Sequence, residues 1–219
     1  MEKHPIIHVG GDMESALKGE YNIDVQAVLK EAWALTTHNR KTINLSLLFI
    51  LSIGMLAMLI SSEFLGGLES VMKDPDASLL INIVVILVTS PFIAAVEMIG
   101  VYTSVGIKSN MRTLFSFMRN ATFVCLCAVL SMFLSSIGFQ LFILPGIYLV
   151  IALTLTMPLI IEKGLTPFNA IIISLKATRF QWFKLFALHM FLLFALLVSL
   201  VPLMLLLNGS ATIIGLCFF

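Results

Sequence analysis

The residue in this sequence best placed to do chemistry is a carboxylate in the middle of an apolar run. Glu97 is the one acidic side chain inside a stretch long enough to cross a bilayer, and His189 lies about one turn past Lys184 in another. With the end of the first stretch near Tyr102–Lys108, Glu97 sits about 7 Å below the interface at 1.5 Å per residue. Intramembrane ionisable groups face a bundle interior or a wet cavity and have a partner there. The matching depths therefore suggest a Glu97–His189 contact, open to proton-linked chemistry. A plainer arrangement is preferred, in which Glu97 reaches basic side chains at the interface and His189 is an interface residue. The run that carries Glu97 also holds Asn82, Thr89, Ser90 and Pro91, the best polar break in any apolar segment. A carrier would put its solute at such a break, although proline kinks satisfied by Ser or Thr are ordinary in membrane helices.

Other chemistries find less support. His4, His8 and Asp12 have a metal-like spacing only on a helix, and Pro5 with Gly10–Gly11 argues against one. Cys125 and Cys127 point about 200° apart on a regular helix and cannot chelate one ion together. The three cysteines are an odd number inside apolar runs, which implies no disulfide framework. The methionines are scattered and serve as adaptable packing. No Ser/His/Asp set, zinc-protease motif or phosphate-cradling glycine loop is present. The sequence thus predicts no catalytic residue, no metal, no cofactor and no enzyme.

The surroundings of these residues follow from composition. Hydrophobic residues make up 59% of the 219 and charged ones 11%, with a mean hydropathy of +1.06. Soluble domains hold about 45–50% apolar and about 25% charged residues, so lipid must solvate part of this chain. The net charge of +1 gives no basis for a nucleic-acid partner. The partners expected are membrane lipids, and another membrane protein or a second copy in a homo-oligomer.

The predicted fold is an all-α polytopic transmembrane bundle. Each span is judged against the ~20 residues needed to cross. Ile43–Ile60, Leu79–Tyr102, Ala121–Phe139, Leu141–Ile161 and Leu185–Leu207 are the five full spans. Ala211–Phe219 follows Asn208–Gly209–Ser210 and, at nine residues, reads as a partial or truncated sixth. The third and fourth are parted by a turn at Gly138–Phe139–Gln140. Ser131, Ser135, Ser136 and Gly138 form a small-residue face suited to close helix packing. Ahead of the spans, residues 1–22 read as a flexible leader without a signal peptide. Asp24–Thr37 follows as an amphipathic helix capped by Asn22 or Asp24, with Trp33 at headgroup level.

Counting charges orients the chain. If the spans alternate, all 13 lysines and arginines but Lys73 fall on one side. The positive-inside rule puts that side, and the N-terminus, in the cytoplasm. Ala27–Thr42 and Ala170–Leu185 share a layout of amphipathic stretch, basic residue and span, which suggests hairpins each introduced by a cytoplasmic helix.

Leu144–Pro145–Gly146, Pro158, Glu162, the small-polar run Ala170–Ser174, and Trp182 leading into a helix resemble YciC-like bacterial inner-membrane proteins. They also resemble the multi-span domain attached to some glycerophosphodiester phosphodiesterases. Glu31–Ala32–Trp33 is similar to the way such proteins begin. The resemblance implies a six-helix domain of the bacterial inner membrane with both ends cytoplasmic. It brings no catalytic residues, since a phosphodiesterase barrel is absent. The expected role is non-enzymatic, in envelope or membrane homeostasis through lipid or protein contacts. The alternative is a small transporter or channel using Pro91 and Glu97.

Overall fold

The computed structural model describes residues 13–107 and 110–217, with side chains to residue 201. His4, His8, Asp12 and Lys108 lie outside the described residues. Two short helices precede the bundle, α1 (Met13–Lys18) and α2 (Val25–His38). Asp24 caps α2 by accepting from the Gln26 and Ala27 amides at 3.0 and 3.2 Å, which satisfies donors that a helix start leaves free. Then come α3 (Arg40–Phe64), the short α4 (Leu68–Lys73) and α5 (Pro75–Ser104). Gly66 and Gly67, at φ +88° and +91°, make the turn out of α3. Asp74 caps α5 and Pro75 sits in its first turn, where a missing amide costs nothing.

A turn of helix, α6 (Thr113–Ser116), leads into α7 (Ala121–Leu141). The chain reverses at Phe142, the one extended residue between α7 and α8 (Ile143–Ala152). After a three-residue break comes α9 (Thr156–Lys163), closed by Gly164 in the left-handed conformation. Next is α10 (Pro167–Thr178), and a 3₁₀ turn at Arg179–Gln181 joins it to α11 (Trp182–Cys217).

Among the described residues, five helical segments are long and apolar enough to cross a membrane: Arg40–Phe64, Pro75–Ser104, Thr113–Leu141, Ile143–Lys163 and Pro167–Val201. Leu48, Leu51 and Met55 on α3 and Phe191, Phe194 and Val198 on α11 face outward. Such surface is stable only against hydrocarbon, so this is a polytopic membrane protein in contact with lipid. The inner faces pack in two main clusters. Phe49, Phe92 and Phe115 meet edge to face at 5.2–5.8 Å and join α3, α5 and α6. Ala94, Val124, Cys127, Ile160 and Ala170 join α5, α7, α9 and α10.

Three sequence expectations change. The turn expected at Gly138–Phe139–Gln140 is helical, because Gly138 is used for close approach instead. A Cβ there would lie 3.0 Å from the Gly146 Cα and 2.7 Å from a Leu149 methyl. The fifth span does not end at Asn208–Gly209–Ser210; α11 continues through to Cys217 and includes the segment read as a partial sixth. Those residues are poor helix formers, but none breaks the amide ladder, and an open ladder in hydrocarbon costs more than low propensity.

The described part of the expected leader, residues 13–22, is docked on α10 and α11. Tyr21 donates to the Ala177 carbonyl at 2.5 Å, Gln181 donates to the Tyr21 carbonyl at 2.8 Å, and Lys184 donates to Asn22. Gly19, at φ +79°, lies flat against the Phe180 ring. The stretch before the fifth span, expected to be a helix from its Ala170–Leu185 pattern, is α10 followed by the 3₁₀ turn, with Ala170, Ser174 and Thr178 buried.

Candidate functional site

Pro91 lies in the middle of α5 and has no amide hydrogen, so the Leu87 carbonyl one turn earlier loses its usual donor. The neighbouring helix supplies one: the Cys125 thiol of α7 lies 3.3 Å from the Leu87 oxygen. Ser90 in turn donates to the Cys125 sulfur at 3.5 Å. Thr89 bonds back to the Val85 carbonyl at 2.7 Å. The polar step in α5 is therefore satisfied, and the helix runs on without interruption.

The interruption falls in the fourth span. At Leu153–Thr154–Leu155 the amide pattern tightens, with Thr154 bonding Ile151 and Thr156 bonding Leu153. An α-helix would have joined the Thr156 amide to the Ala152 carbonyl. That carbonyl instead accepts from Ser174 of α10 at 2.5 Å, and the Thr156 hydroxyl covers the Leu153 carbonyl at 2.7 Å. Non-helical backbone at membrane depth is tolerated where it is buried in protein or lines a cavity. Here it does both.

The cavity beside the break has a volume of about 380 Å³, within the range of small-ligand sites. Its floor is α7, through Ala128, Ser131, Met132 and Ser135. One wall is α5, with Ile86, Thr89, Ser90, Ile93 and Glu97; the other is the α8–α9 step, with Val150, Leu153, Thr154, Thr156 and Met157. Glu97 Oε2 is buried and makes no hydrogen bond within the protein. The charged lining among the described residues is that one carboxyl; the rest is hydroxyl or hydrocarbon.

The sequence candidates divide accordingly. Glu97, Ser90 and Pro91 come together at the α5 wall. Asn82 does not join them: it is exposed on the outer face of α5, two turns from Ser90. His189 does not meet Glu97 either. With its proton on Nδ1, His189 donates to the Leu185 carbonyl at 2.8 Å, and Nε2 accepts from the Thr154 hydroxyl at 3.4 Å. No hydrogen bond or ion pair joins the two candidates among the described residues, and none joins Glu97 to a basic side chain as the preferred reading had it. Both instead flank Thr154, one across the cavity and one behind it. Ser131 and Ser135, read from sequence as packing residues, are cavity floor. Thr154 and Thr156 carried no sequence signal beyond two hydroxyls in an apolar run.

No cluster of three or more His, Cys, Asp or Glu suited to a metal occurs among the described residues. The two cysteines of α7 diverge, Cys125 to α5 and Cys127 to Ser131. No family model, no curated protein and no solved structure matches this chain.

Proposed function

We propose that this protein is a non-enzymatic carrier or binder that holds a donor-bearing, cationic solute in the membrane against Glu97. One observation carries the reading: among the described residues the cavity lining holds a single charged group, the Glu97 carboxyl, whose Oε2 is buried without a partner, and the other polar side chains are all hydroxyls. A carboxyl left unpaired in an apolar bundle is costly and marks a site. An ammonium or guanidinium head satisfies it, and the Ser and Thr oxygens accept its remaining hydrogens.

Hydrolysis fits the same residues poorly. A nucleophile needs a base within hydrogen-bond reach, whereas the Ser90, Thr89 and Thr156 hydroxyls donate their protons to Cys125 and to the Val85 and Leu153 carbonyls. His189 is occupied on both nitrogens. The role is thus closer to a transporter using the Pro91–Glu97 region than to a closed scaffold, and membrane homeostasis enters through what the site holds. From the distribution of basic residues and the resemblance of Leu144–Lys184, the location proposed is the bacterial inner membrane with a cytoplasmic N-terminus.

The test is uptake of labelled guanidinium, which stays charged and cannot leak as a neutral form, into proteoliposomes. Protein-dependent uptake or saturable binding is expected to fall at least tenfold in Glu97→Gln. Guanidinium and alkylguanidinium binding that is absent, or unchanged by Glu97→Gln, overturns the reading.

A further inference from the structure

The cavity is open on a particular side. Helices α5 and α8 both pack on α7, and α9 packs against α5. Three of the lining residues are exposed: Thr154 in the break, and Ile93 of α5 and Val150 of α8, at 39% and 46%. Ile93 and Val150 are apolar residues on the outer surface of the bundle, so the mouth faces the medium that solvates that surface.

Depth identifies the medium. The 30 residues of α5 have their midpoint near Thr89–Ser90. At 1.5 Å per residue, Ile93 lies about 5 Å and Glu97 about 11 Å from that midpoint along the axis. For a helix centred in a hydrocarbon core of about 30 Å, the mouth is well inside the acyl region. Glu97 is then about 4 Å inside the nearer boundary. A head group already at that interface reaches the carboxyl by a short descent, with its tail remaining outside.

Resting on the proposed cation site, we infer that the occupant is a cationic amphiphile entering sideways from the bilayer: an ammonium or guanidinium head seated on Glu97 and a hydrocarbon tail leaving between Ile93 and Val150. The lining excludes the commoner lipid head groups. A phosphate would meet Glu97 with no basic side chain among the described lining residues to offset it. A small hydrophilic cation gains nothing from the apolar rim, whereas a tail there stays in contact with lipid throughout.

Carbodiimide labelling of Glu97 in phosphatidylcholine nanodiscs tests the route, read by peptide mass. Lateral access predicts that lipid-soluble dicyclohexylcarbodiimide modifies Glu97 at least tenfold faster than a water-soluble carbodiimide, while the latter modifies Glu162. Dodecylguanidinium should protect Glu97, and guanidinium at equal concentration should not. Val150→Trp, which crowds the rim without touching the carboxyl, should slow the lipid-soluble reagent. Its fold is checked independently by an unchanged melting temperature, and Ile93→Trp serves if it fails. Faster labelling by the water-soluble reagent, or equal protection by both guanidinium compounds, overturns lateral entry and leaves the cation site standing. Failure of both compounds to protect removes the cation site itself.

Discussion

The Cys125 thiol lies 3.3 Å from the Leu87 carbonyl oxygen, the acceptor in α5 that Pro91 deprives of its amide. A cysteine in an apolar helix is usually packing; this one repairs its neighbour's backbone. Cys125→Ala should cost about 1–2 kcal/mol, since an acceptor on a lipid-facing stretch, away from water, is left without a donor, and Cys125→Ser should restore most of the loss. In a Pro91→Ala background the amide returns and the cost of Cys125→Ala should shrink to a few tenths of a kcal/mol. Equal costs in both backgrounds, measured by unfolding in detergent, would dismiss the repair.

The α7–α8 hairpin depends on two glycines in contact. A Cβ on Gly138 would approach the Gly146 Cα to 3.0 Å, while one on Gly100 meets nothing within 4 Å. Gly138→Ala should therefore destabilise by about 1–3 kcal/mol through overpacking. Gly100→Ala should stay within about 0.5 kcal/mol of the parent. The comparison of melting temperatures checks it, and a Gly138→Ala protein as stable as Gly100→Ala would contradict the close approach.

Docking of residues 19–22 should depend on pH. Burial pushes the Tyr21 phenol above its ordinary 10.0, with a hydrogen bond to the Gln181 backbone pulling the other way. The docked state thus favours the protonated phenol. Its contribution is complete below pH ~10 and is lost as pH rises through the raised value. Proteolytic cleavage between α1 and α2 should accelerate above pH ~10. In Tyr21→Phe, which keeps the ring and drops the titration, cleavage should be faster at neutral pH and lack that rise. A leader that stays protected at pH 11 would rule this out.

His189 and Glu97 should behave as independent residues. Thr154 is the hydroxyl bonded to His189, so His189→Ala and Thr154→Ala should couple by about 0.5–1.5 kcal/mol in a stability cycle. His189→Ala and Glu97→Gln, lacking a bond between them, should add within about 0.5 kcal/mol. Strong coupling of the second pair would reinstate the contact that the geometry denies.

How much of this was legible in the sequence depends on the range of the interaction. Hydropathy located every span to within a few residues at most ends, because the cost of putting an open backbone or a charge in hydrocarbon is local and large. Asp24 announced a helix start for an equally local reason. The break at Leu153–Thr154–Leu155 was not legible. Two threonines in an apolar run are compatible with a continuous helix, and the partner that stabilises the interruption is Ser174, 22 positions away. Pro91 gave the opposite error in emphasis: a loud local signal, silenced by a thiol on another helix. Glu97 was found because an acid at that depth is costly wherever it points. Its cavity was not, since the floor residues Ser131 and Ser135 look the same whether they face a helix or a void.

The clasp between Tyr21 and Ala177 joins residues 156 positions apart. During synthesis the chain emerges from its N-terminal end, so α1 and α2 are complete long before the surface that receives them exists. The four helices that build the cavity, α5, α7, α8 and α9, can assemble in that interval without the clasp. Fastening residues 19–22 is then a closing step of biogenesis, and an N-terminal fusion bulky enough to obstruct Phe180 would be felt at the end of assembly rather than at insertion.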